Sequence, residues 1–201
     1  IFLERVLCNE SGGVQDQIAA SFGGMNRINF NAEGYTVNPV IISPERKKLL
    51  NRNLMLFFTG FSRFSSDIQV AAEKNLKSKQ NQLLEMLSLV DDAEKILTSK
   101  TDLEEFGRLL DYTWQLKRGI TDKVSTDSID AVYSRALQAG ATGGKLLGAG
   151  GGGFLLFYVD PDKQENVRKA LENLLYVPFE FENGGTRVIH YTPESYEPVN
   201  A

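Results

Sequence analysis

Residues 140–154 read GATGGKLLGAGGGGF, and eight of the first fourteen positions in this stretch are glycine. Glycine inside a regular element costs roughly 0.5–1 kcal/mol relative to alanine, so a run of this kind needs a compensating benefit. A flexible linker would carry polar residues around its glycines, whereas LLG and FLLF make this run apolar on both sides. We therefore expect a loop that is pinned inside the fold and brings its backbone close to a ligand or a neighbouring segment.

The elements on either side of this loop exclude two phosphate-binding arrangements. A helix is expected to stop at Gly140 and FLLFYV (154–159) to form a strand, so the predicted order is helix, loop, strand. A P-loop and a dinucleotide fingerprint each lie between a strand and a helix. Gly148, Gly150 and Gly153 match only the spacing of the second pattern. Two interpretations remain, an anion-receiving concavity of backbone N–H groups and a purely structural bulge or connector.

The composition is that of an ordinary globular protein. Of 201 residues, 42% are hydrophobic and 24% charged, and the formal net charge is −4. Nothing in this balance indicates a nucleic-acid or membrane partner. One cysteine and one histidine leave no internal disulfide and argue against a thiolate or imidazole metal site. We expect a cytoplasmic protein in which any metal ion is held by oxygen ligands.

Helical periodicity runs through much of the chain. The predicted helices cover the N-terminal residues, 14–22, several stretches between 66 and 117, 125–139 and 163–175. Thr101 and Glu104 have the spacing of a capping box at the start of one of them. The segment ERKKLLNRN (45–53) is expected to be a polar connector.

Short apolar runs predict the strands. They cover 26–30, 35–43, 54–60, 154–159, 177–182 and 187–191. The first two are expected to form a hairpin, and the last two to flank a turn at Asn183, Gly184 and Gly185. The chain is therefore predicted to be α+β, with helices covering one face of a small antiparallel sheet.

KLLGAGGGGF (145–154), GVQDQIAASFGG (13–24) and TGFSRFSSDI (59–68) are three motifs whose nature and order point to a family. The first resembles the third conserved motif of the GHMP kinases, the superfamily of galactokinase, homoserine kinase, mevalonate kinase and phosphomevalonate kinase. The second is similar to the segment that carries the family's catalytic aspartate. With WQLKR (114–118), the motifs most resemble the D-glycero-D-manno-heptose phosphate kinase branch, and fucokinase-type domains come next.

The resemblance implies a kinase of two domains. These are a ribosomal-S5-like N-terminal nucleotide-binding domain and a ferredoxin-like C-terminal domain, so residues 1–45 are expected to end the first and 46–201 to form the second. The family's ATP-embracing P-x-x-x-G-L-G-S-S-A loop matches no part of this chain. We therefore expect a C-terminal portion of a longer kinase, and no kinase turnover from the 201 residues alone.

The resemblance implies that Asp16 is the catalytic base and that Glu4 is a Mg²⁺ ligand. An aspartate beside an acceptor hydroxyl can orient it and take its proton, and Ala19 and Ala20 leave room for a sugar. Mg²⁺ is commonly held by one or two carboxylates together with phosphate oxygens and water. The alternatives are a solvated helix carboxylate for Asp16 and an exposed helix charge for Glu4.

The resemblance also implies binding roles for the glycine loop and for an arginine. A guanidinium can form two parallel hydrogen bonds with a phosphate, although Arg63 could equally pair with a surface acid. Lys117, Arg118 and Lys145 are weaker basic candidates. The implied assignments are ATP binding by Gly148, Ala149, Gly150 and Gly153, and substrate binding by Arg63, Gly151 and Gly152.

These assignments predict a sugar kinase that uses ATP and Mg²⁺. It would transfer the γ-phosphoryl group to a sugar hydroxyl, and a phosphorylated heptose at its anomeric position is the first expectation. Two alternatives stay open: a kinase for another acceptor such as fucose, galactose or mevalonate, and a non-catalytic fragment that binds a sugar phosphate or a partner chain. The expected partner is a small sugar or sugar phosphate, and a homodimer is left open.

Overall fold

A computed structural model of the chain describes residues 1–9, 12–60, 68, 71–72 and 74–192. The chain divides into two compact units. The first unit comprises Ile1–Gly13 and Val40–Glu180, and the second comprises Val14–Pro39 and Phe181–Ala201. The expected boundary between residues 45 and 46 concerns the domains of the complete protein and stays a prediction.

The described residues form helices, strands and a short π-helical turn at Leu3–Leu7. The helices are α1 (Gln15–Phe22), α2 (Pro44–Asn53), α3 (Gln80–Thr98), α4 (Glu104–Arg118), α5 (Asp127–Gln138) and α6 (Gln164–Ala170). The strands are β1 (Asn26–Asn31), β2 (Gly34–Pro39), β3 (Leu54–Phe58), β4 (Gly143–Leu146), β5 (Phe154–Tyr158) and β6 (Leu175–Val177). None of the described helices has both the length and the apolar character that a bilayer crossing requires.

A four-stranded sheet organises the first unit, with the strand order β4-β5-β3-β6. All three neighbouring pairs are antiparallel. If the four strands are numbered by their order along the chain, their order across the sheet is second, third, first and fourth. Helices lie between the first and second strands and between the third and fourth strands. This is the βαββαβ arrangement of ferredoxin-like folds. The predicted α+β class and antiparallel sheet are confirmed, while the ribosomal-S5-like N-terminal part stays a prediction.

The core of the first unit lies on one face of this sheet. Met55 pairs with Phe157 across β3 and β5, and side chains at such paired positions point to the same face. Both residues are fully buried. The Phe157 ring lies 5.5 Å from the Tyr133 ring of α5, and Tyr133 lies 6.2 Å from Trp114 of α4. Aromatic packing therefore joins α4 and α5 to the centre of the sheet.

Gly143 and Gly144, two glycines of the run at 140–154, allow close contacts around strand β4. Helix α4 approaches the edge strand β4 so closely that a Cβ on Gly143 would overlap the carbonyl oxygen of Gly107 and lie 2.9 Å from Asp111 Cβ. At Gly144, the next edge position, the backbone N–H donates to the Tyr133 hydroxyl (3.1 Å), and the carbonyl oxygen lies 3.0 Å from the same hydroxyl oxygen. Burial, and then a hydrogen bond from this hydroxyl to Asp111, raise the pKa of Tyr133 far above its usual range.

Helix α2 corrects the prediction of a connector at 45–53. Ser43 Oγ accepts a hydrogen bond from Arg46 N (3.2 Å), and a proline follows at the first helical position, which together make a strong helix start. Leu50 anchors the helix in the core. The Arg46 guanidinium donates to the carbonyl oxygen of Ile96 (2.5 Å) in the last turns of α3. The polar segment is therefore a helix whose arginine satisfies a helix end.

The start of α4 differs from the predicted capping box. Asp102 Oδ1 accepts the hydrogen bond from Glu104 N (3.0 Å), whereas Thr101 Oγ1 accepts one from Ser99 Oγ (2.8 Å). The predicted role of Thr101 is therefore wrong. Leu103 is the N-cap residue of α4 and provides no side-chain cap, so the Asp102 side chain acts from the position before it.

The second unit contains α1, the hairpin of β1 and β2, and the described part of the C-terminal segment. The hairpin is confirmed, with register from Asn26↔Pro39 to Asn31↔Gly34. The other predicted hairpin is wrong, because the described residues after Val177 contain no strand. Within this unit, Thr186 N donates to the carbonyl oxygen of Ala20 (3.1 Å) at the end of α1.

Candidate functional site

The glycine loop, residues 147–153, connects β4 to β5 at one end of the sheet. Leu147 N donates to Phe154 O (2.8 Å) and continues the ladder of this hairpin. The predicted helix–loop–strand order is therefore wrong, because the four-residue strand Gly143–Leu146 intervenes. No helix follows the loop, so the exclusion of the P-loop and the dinucleotide fingerprint still holds.

The loop has a backbone that only glycine adopts readily. Gly148 (φ 74°), Gly150 (φ 128°), Gly151 (φ 71°) and Gly153 (φ 104°) all have positive φ. Side chains are strained in this region. A Cβ on Gly148 or Gly153 would meet nothing within 4 Å, so these two positions face open space. The glycines at these two positions are therefore required by conformation and not by packing.

Two segments hold the first part of the loop. The Lys117 ammonium, near the end of α4, donates to the carbonyl oxygen of Gly148. Gly151 N donates to the carbonyl oxygen of Val124 (2.9 Å), which precedes α5. A Cβ on Gly150 would lie 2.8 Å from the same Val124 oxygen. The loop is therefore pinned against the 120–126 segment, as the apolar flanks of the glycine run predicted.

Thr59 holds the other end of the loop. Its N–H and its hydroxyl both donate to Gly153 O, at 2.8 and 2.9 Å. Gly153 N in turn donates to Thr59 Oγ1 (3.1 Å). Thr59 is buried and directly follows β3, so the centre of the sheet supports this contact.

The anchored loop presents backbone donors that the fold does not use. Among the described residues, the N–H groups of Gly148, Ala149, Gly150 and Gly152 have no hydrogen-bond acceptor. The sign of φ alternates from Gly148 through Ala149, which is negative, to Gly150. Successive N–H groups in turn backbone can form a concavity that receives anions. The loop therefore fits a phosphate group chemically.

Positive side chains lie close to this loop. Lys117 contacts it directly, and Lys145 is a half-buried residue of β4 two positions before its start. Burial lowers the pKa of the Lys145 ammonium. Arg118, by contrast, is paired with Asp130 (2.5 Å), so its charge is already balanced.

Asp16 belongs to the second unit, in the first turn of α1. Its side chain is exposed, as are Ala19 and Ala20 on the following turn. Val14 precedes the helix and provides no side-chain cap, so the helix start favours a nearby negative charge. Asp16 is therefore a solvent-accessible carboxylate, and its catalytic role stays a prediction.

Glu4 lies in the π-helical turn Leu3–Leu7 and is exposed. No group of three or more His, Cys, Asp or Glu side chains that could hold a metal ion occurs in the described ranges. A single carboxylate fits a Mg²⁺ site only if phosphate oxygens and water supply most of the ligands. The assignment of Glu4 as a Mg²⁺ ligand therefore stays a prediction, with phosphate oxygens and water as the other ligands.

Arg63 lies outside the described residues, as does the rest of segment 61–67. Sequence reasoning missed Thr59 and Val124, which hold the glycine loop. Thr59 is the first residue of the TGFSRFSSDI motif. Its position between an apolar run and a glycine is the sequence signal that could have identified it. Val124 acts through its backbone carbonyl, which no residue pattern marks.

The comparison with protein families agrees with this geometry. The family model described as GHMP kinases C terminal matches residues 89–177. Residues 89–177 belong to a GHMP kinase C-terminal domain. The matched residues contain the whole glycine loop together with Lys117 and Val124, while Thr59 and Asp16 lie before them. The resemblance stated from the sequence motifs is thereby confirmed at the level of the family.

Individual related proteins are similar to this chain over most of its length. The chain is 36% identical over 172 residues to D-glycero-alpha-D-manno-heptose 7-phosphate kinase of Campylobacter jejuni, covering 84% of this chain and 50% of that protein. A solved D-glycero-D-manno-heptose 1-phosphate kinase from Bacteroides thetaiotaomicron matches with TM-score 0.59 and 28% identity, over 92% of this chain and 51% of the other.

A third comparison shows the fold alone. Galactokinase of Lactococcus lactis, solved with galactose, matches with TM-score 0.65 and 19% identity, over 93% of this chain and 59% of the other. The chain thus spans about half the length of the heptose phosphate kinases and somewhat more of the galactokinase.

Proposed function

We propose that the protein containing this chain is an ATP-dependent sugar kinase of the GHMP superfamily, with a heptose phosphate as acceptor. The observation that carries the proposal is the glycine loop, which is anchored at Gly148, Gly151 and Gly153 and offers unpaired N–H groups within the GHMP kinase domain. The 36% identity to a heptose 7-phosphate kinase supports this acceptor class.

The loop's part in the proposed reaction is to hold phosphate oxygens. Thr59, Lys117 and Val124 already hold the loop, which limits the ordering that anion binding would require. Preorganised donors of this kind stabilise charge that develops during phosphoryl transfer. In this proposal ATP is bound by Gly148, Ala149, Gly150 and Gly153, and the acceptor by Gly151, Gly152 and Arg63.

Asp16 acts on the acceptor in this proposal. Its carboxylate accepts a hydrogen bond from the sugar hydroxyl and takes the proton as the hydroxyl oxygen bonds to the γ-phosphorus of ATP. The bond from that phosphorus to the β–γ bridging oxygen breaks, and ADP leaves with the electron pair. The exposed position of Asp16 leaves it accessible to an acceptor.

Glu4 is the residue of this chain that we assign to Mg²⁺. Bound Mg²⁺ would offset the negative charge of the phosphate oxygens. The carboxylate of Glu4 would contribute one ligand and phosphate and water the others, as Mg²⁺ commonly requires.

The protein expressed from its complete reading frame tests the proposal with a panel of acceptors. ATP is supplied with Mg²⁺ and, in parallel, with heptose 7-phosphate, fucose, galactose or mevalonate, and ADP release is followed. Phosphorus NMR of the product then locates the new phosphate. We expect turnover with heptose 7-phosphate to exceed that with the other acceptors by at least tenfold, about 1.4 kcal/mol in transition-state stabilisation.

Two other results would change the assignment. Preferred turnover of galactose, fucose or mevalonate would keep the kinase and replace the acceptor. No ADP release with any acceptor, from folded protein that still binds a heptose phosphate, would favour a non-catalytic binding protein.

A further inference from the structure

Helix α1, which carries Asp16, has little support of its own. It has eight residues, its start has no side-chain cap, and Ile18 is its one buried residue. Isolated helices shorter than about 12–15 residues are marginal in water. The geometry of the Asp16 carboxylate must therefore depend on what holds the other end of the helix.

Residues 182–186, which we name the C-terminal brace, hold that end. Thr186 N donates to the carbonyl oxygens of Ala20 (3.1 Å) and Ser21 (3.2 Å), and Thr186 Oγ1 also donates to Ala20 O (3.2 Å). Gly24 N, just past the helix, donates to the carbonyl oxygen of Glu182 (3.0 Å). The brace thus satisfies carbonyl groups that a helix end leaves without partners.

Glycines on both sides allow this contact. A Cβ on Gly23 would overlap the backbone of Gly184, and a Cβ on Gly185 would overlap the carbonyl oxygen of Ser21 and lie 2.6 Å from its carbon. By contrast, a Cβ on Gly184 would meet only side-chain atoms, of which Glu182 Oε1 is nearest at 3.3 Å. The FGG sequence after α1 and the NGG sequence of the brace are therefore sterically matched.

We propose that the C-terminal brace positions the catalytic aspartate, so that Gly185 and Thr186 are positioning residues for the kinase reaction. The inference rests on the proposed function of Asp16. Asp16 and Ala20 are four residues apart, about 6 Å along the helix, and a helix of this length moves as one piece. A shift of α1 at the brace therefore shifts the carboxylate.

Two alanine substitutions at neighbouring positions make the test. Gly185→Ala places a methyl group against the Ser21 carbonyl and must separate α1 from the brace, whereas Gly184→Ala avoids backbone overlap and serves as the matched control. In the protein from the complete reading frame, we expect Gly185→Ala to lower kcat by about tenfold to a hundredfold, because a misplacement of about 1 Å can cost that much. The KM for ATP should change less than about twofold, since the substitution does not alter contacts that bind ATP equally in the ground state and the transition state.

Hydrogen exchange of the amides at 18–24 provides a readout that does not depend on activity. We expect faster exchange there in Gly185→Ala than in Gly184→Ala. If Gly185→Ala does not fold, Thr186→Val replaces it, and its loss of kcat and protection should be restored in Thr186→Ser. That rescue would support a positioning role for the hydroxyl.

The outcomes separate the inference from the proposed function. Unchanged kcat and unchanged exchange in folded Gly185→Ala would overturn the brace, as would a kcat loss in Thr186→Ser equal to that in Thr186→Val. If the unsubstituted protein phosphorylates no acceptor, the proposed function fails. Hydrogen exchange then decides whether the brace holds α1, and equal rates in the two alanine variants would refute it.

Discussion

Thr59 and Gly153, 94 residues apart in the chain, are joined by three hydrogen bonds that use both backbone groups of the glycine. The threonine lies at the end of β3 and the glycine at the start of β5, so the contact ties the glycine loop to the two central strands of the sheet. The same threonine begins the TGFSRF motif. The C-terminal end of the loop is therefore fixed by the sheet.

Thr59→Val tests this tie. The substitution keeps the shape of the side chain but leaves Gly153 N without its acceptor, so we expect a loss of about 1–3 kcal/mol in the free energy of unfolding. Urea denaturation measures the loss. Thr59→Ser keeps the hydroxyl and should remain close to the unsubstituted protein. Equal loss in both variants, although serine keeps the hydroxyl, would contradict the hydrogen-bond argument.

The sequence predicted the central strands β3 and β5 and the pinned glycine loop. It did not predict the edge strand β4. LMLFF and FLLFY are apolar runs bounded by glycine, and both form strands. Strand β4 reads GGKL, and its two glycines weaken any strand signal. Gly143 is needed because α4 packs against this edge, and Gly144 because a Cβ would overlap Leu156 O and the Phe157 ring of β5. Local patterning contains neither contact.

The NGG sequence at 183–185 shows the opposite error. Asn-Gly between apolar runs is a strong hairpin signal, yet the glycines here serve the close approach of the brace to α1. Sequence patterns report local conformation, whereas this role depends on Ser21 and Gly23, some 160 residues earlier in the chain. The candidate site divides in the same way. Its glycines and Lys117 were identified from the sequence, whereas Thr59 and Val124, which also hold the loop, were not.

Alanine substitutions at Gly148 and Gly150 should separate conformational from steric requirements. Both have positive φ, so each replacement strains the backbone by about 1–3 kcal/mol. At Gly150 the methyl group would also lie 2.8 Å from the Val124 carbonyl oxygen, whereas at Gly148 it would meet open space. We therefore expect Gly150→Ala to be the more destabilising by urea denaturation. Equal losses in the free energy of unfolding would show that the Val124 backbone accommodates the methyl group without a measurable loss of stability.

Lys145→Met should stabilise the protein at neutral pH. Burial lowers the pKa of the Lys145 ammonium in the folded state, whereas the unfolded chain keeps the proton up to about pH 10.4. Protonated Lys145 therefore opposes folding at neutral pH, and its penalty fades as pH rises through the lowered pKa towards the unfolded one. Methionine preserves the apolar stem and removes the charge.

The measurement for Lys145→Met is the melting temperature of both proteins between pH 6 and pH 10. We expect the variant to melt higher at pH 7 and the difference to narrow as the pH is raised. Lys95→Met, at an exposed position of α3, is the control for removing a lysine charge that is not buried. A lower melting temperature for Lys145→Met at pH 7 would show that the ammonium contributes more than its burial costs.

Asp16→Asn in the protein from the complete reading frame should reduce kcat by about 10²–10⁴-fold, the usual contribution of a general base. The side chain is exposed, so the melting temperature should change little. Glu33→Gln, which removes an exposed carboxylate from the β1–β2 turn of the same unit, is the matched control and should retain full turnover. Near-normal kcat in Asp16→Asn, in protein that phosphorylates its acceptor, would remove the catalytic role from this aspartate and with it the reason for bracing α1.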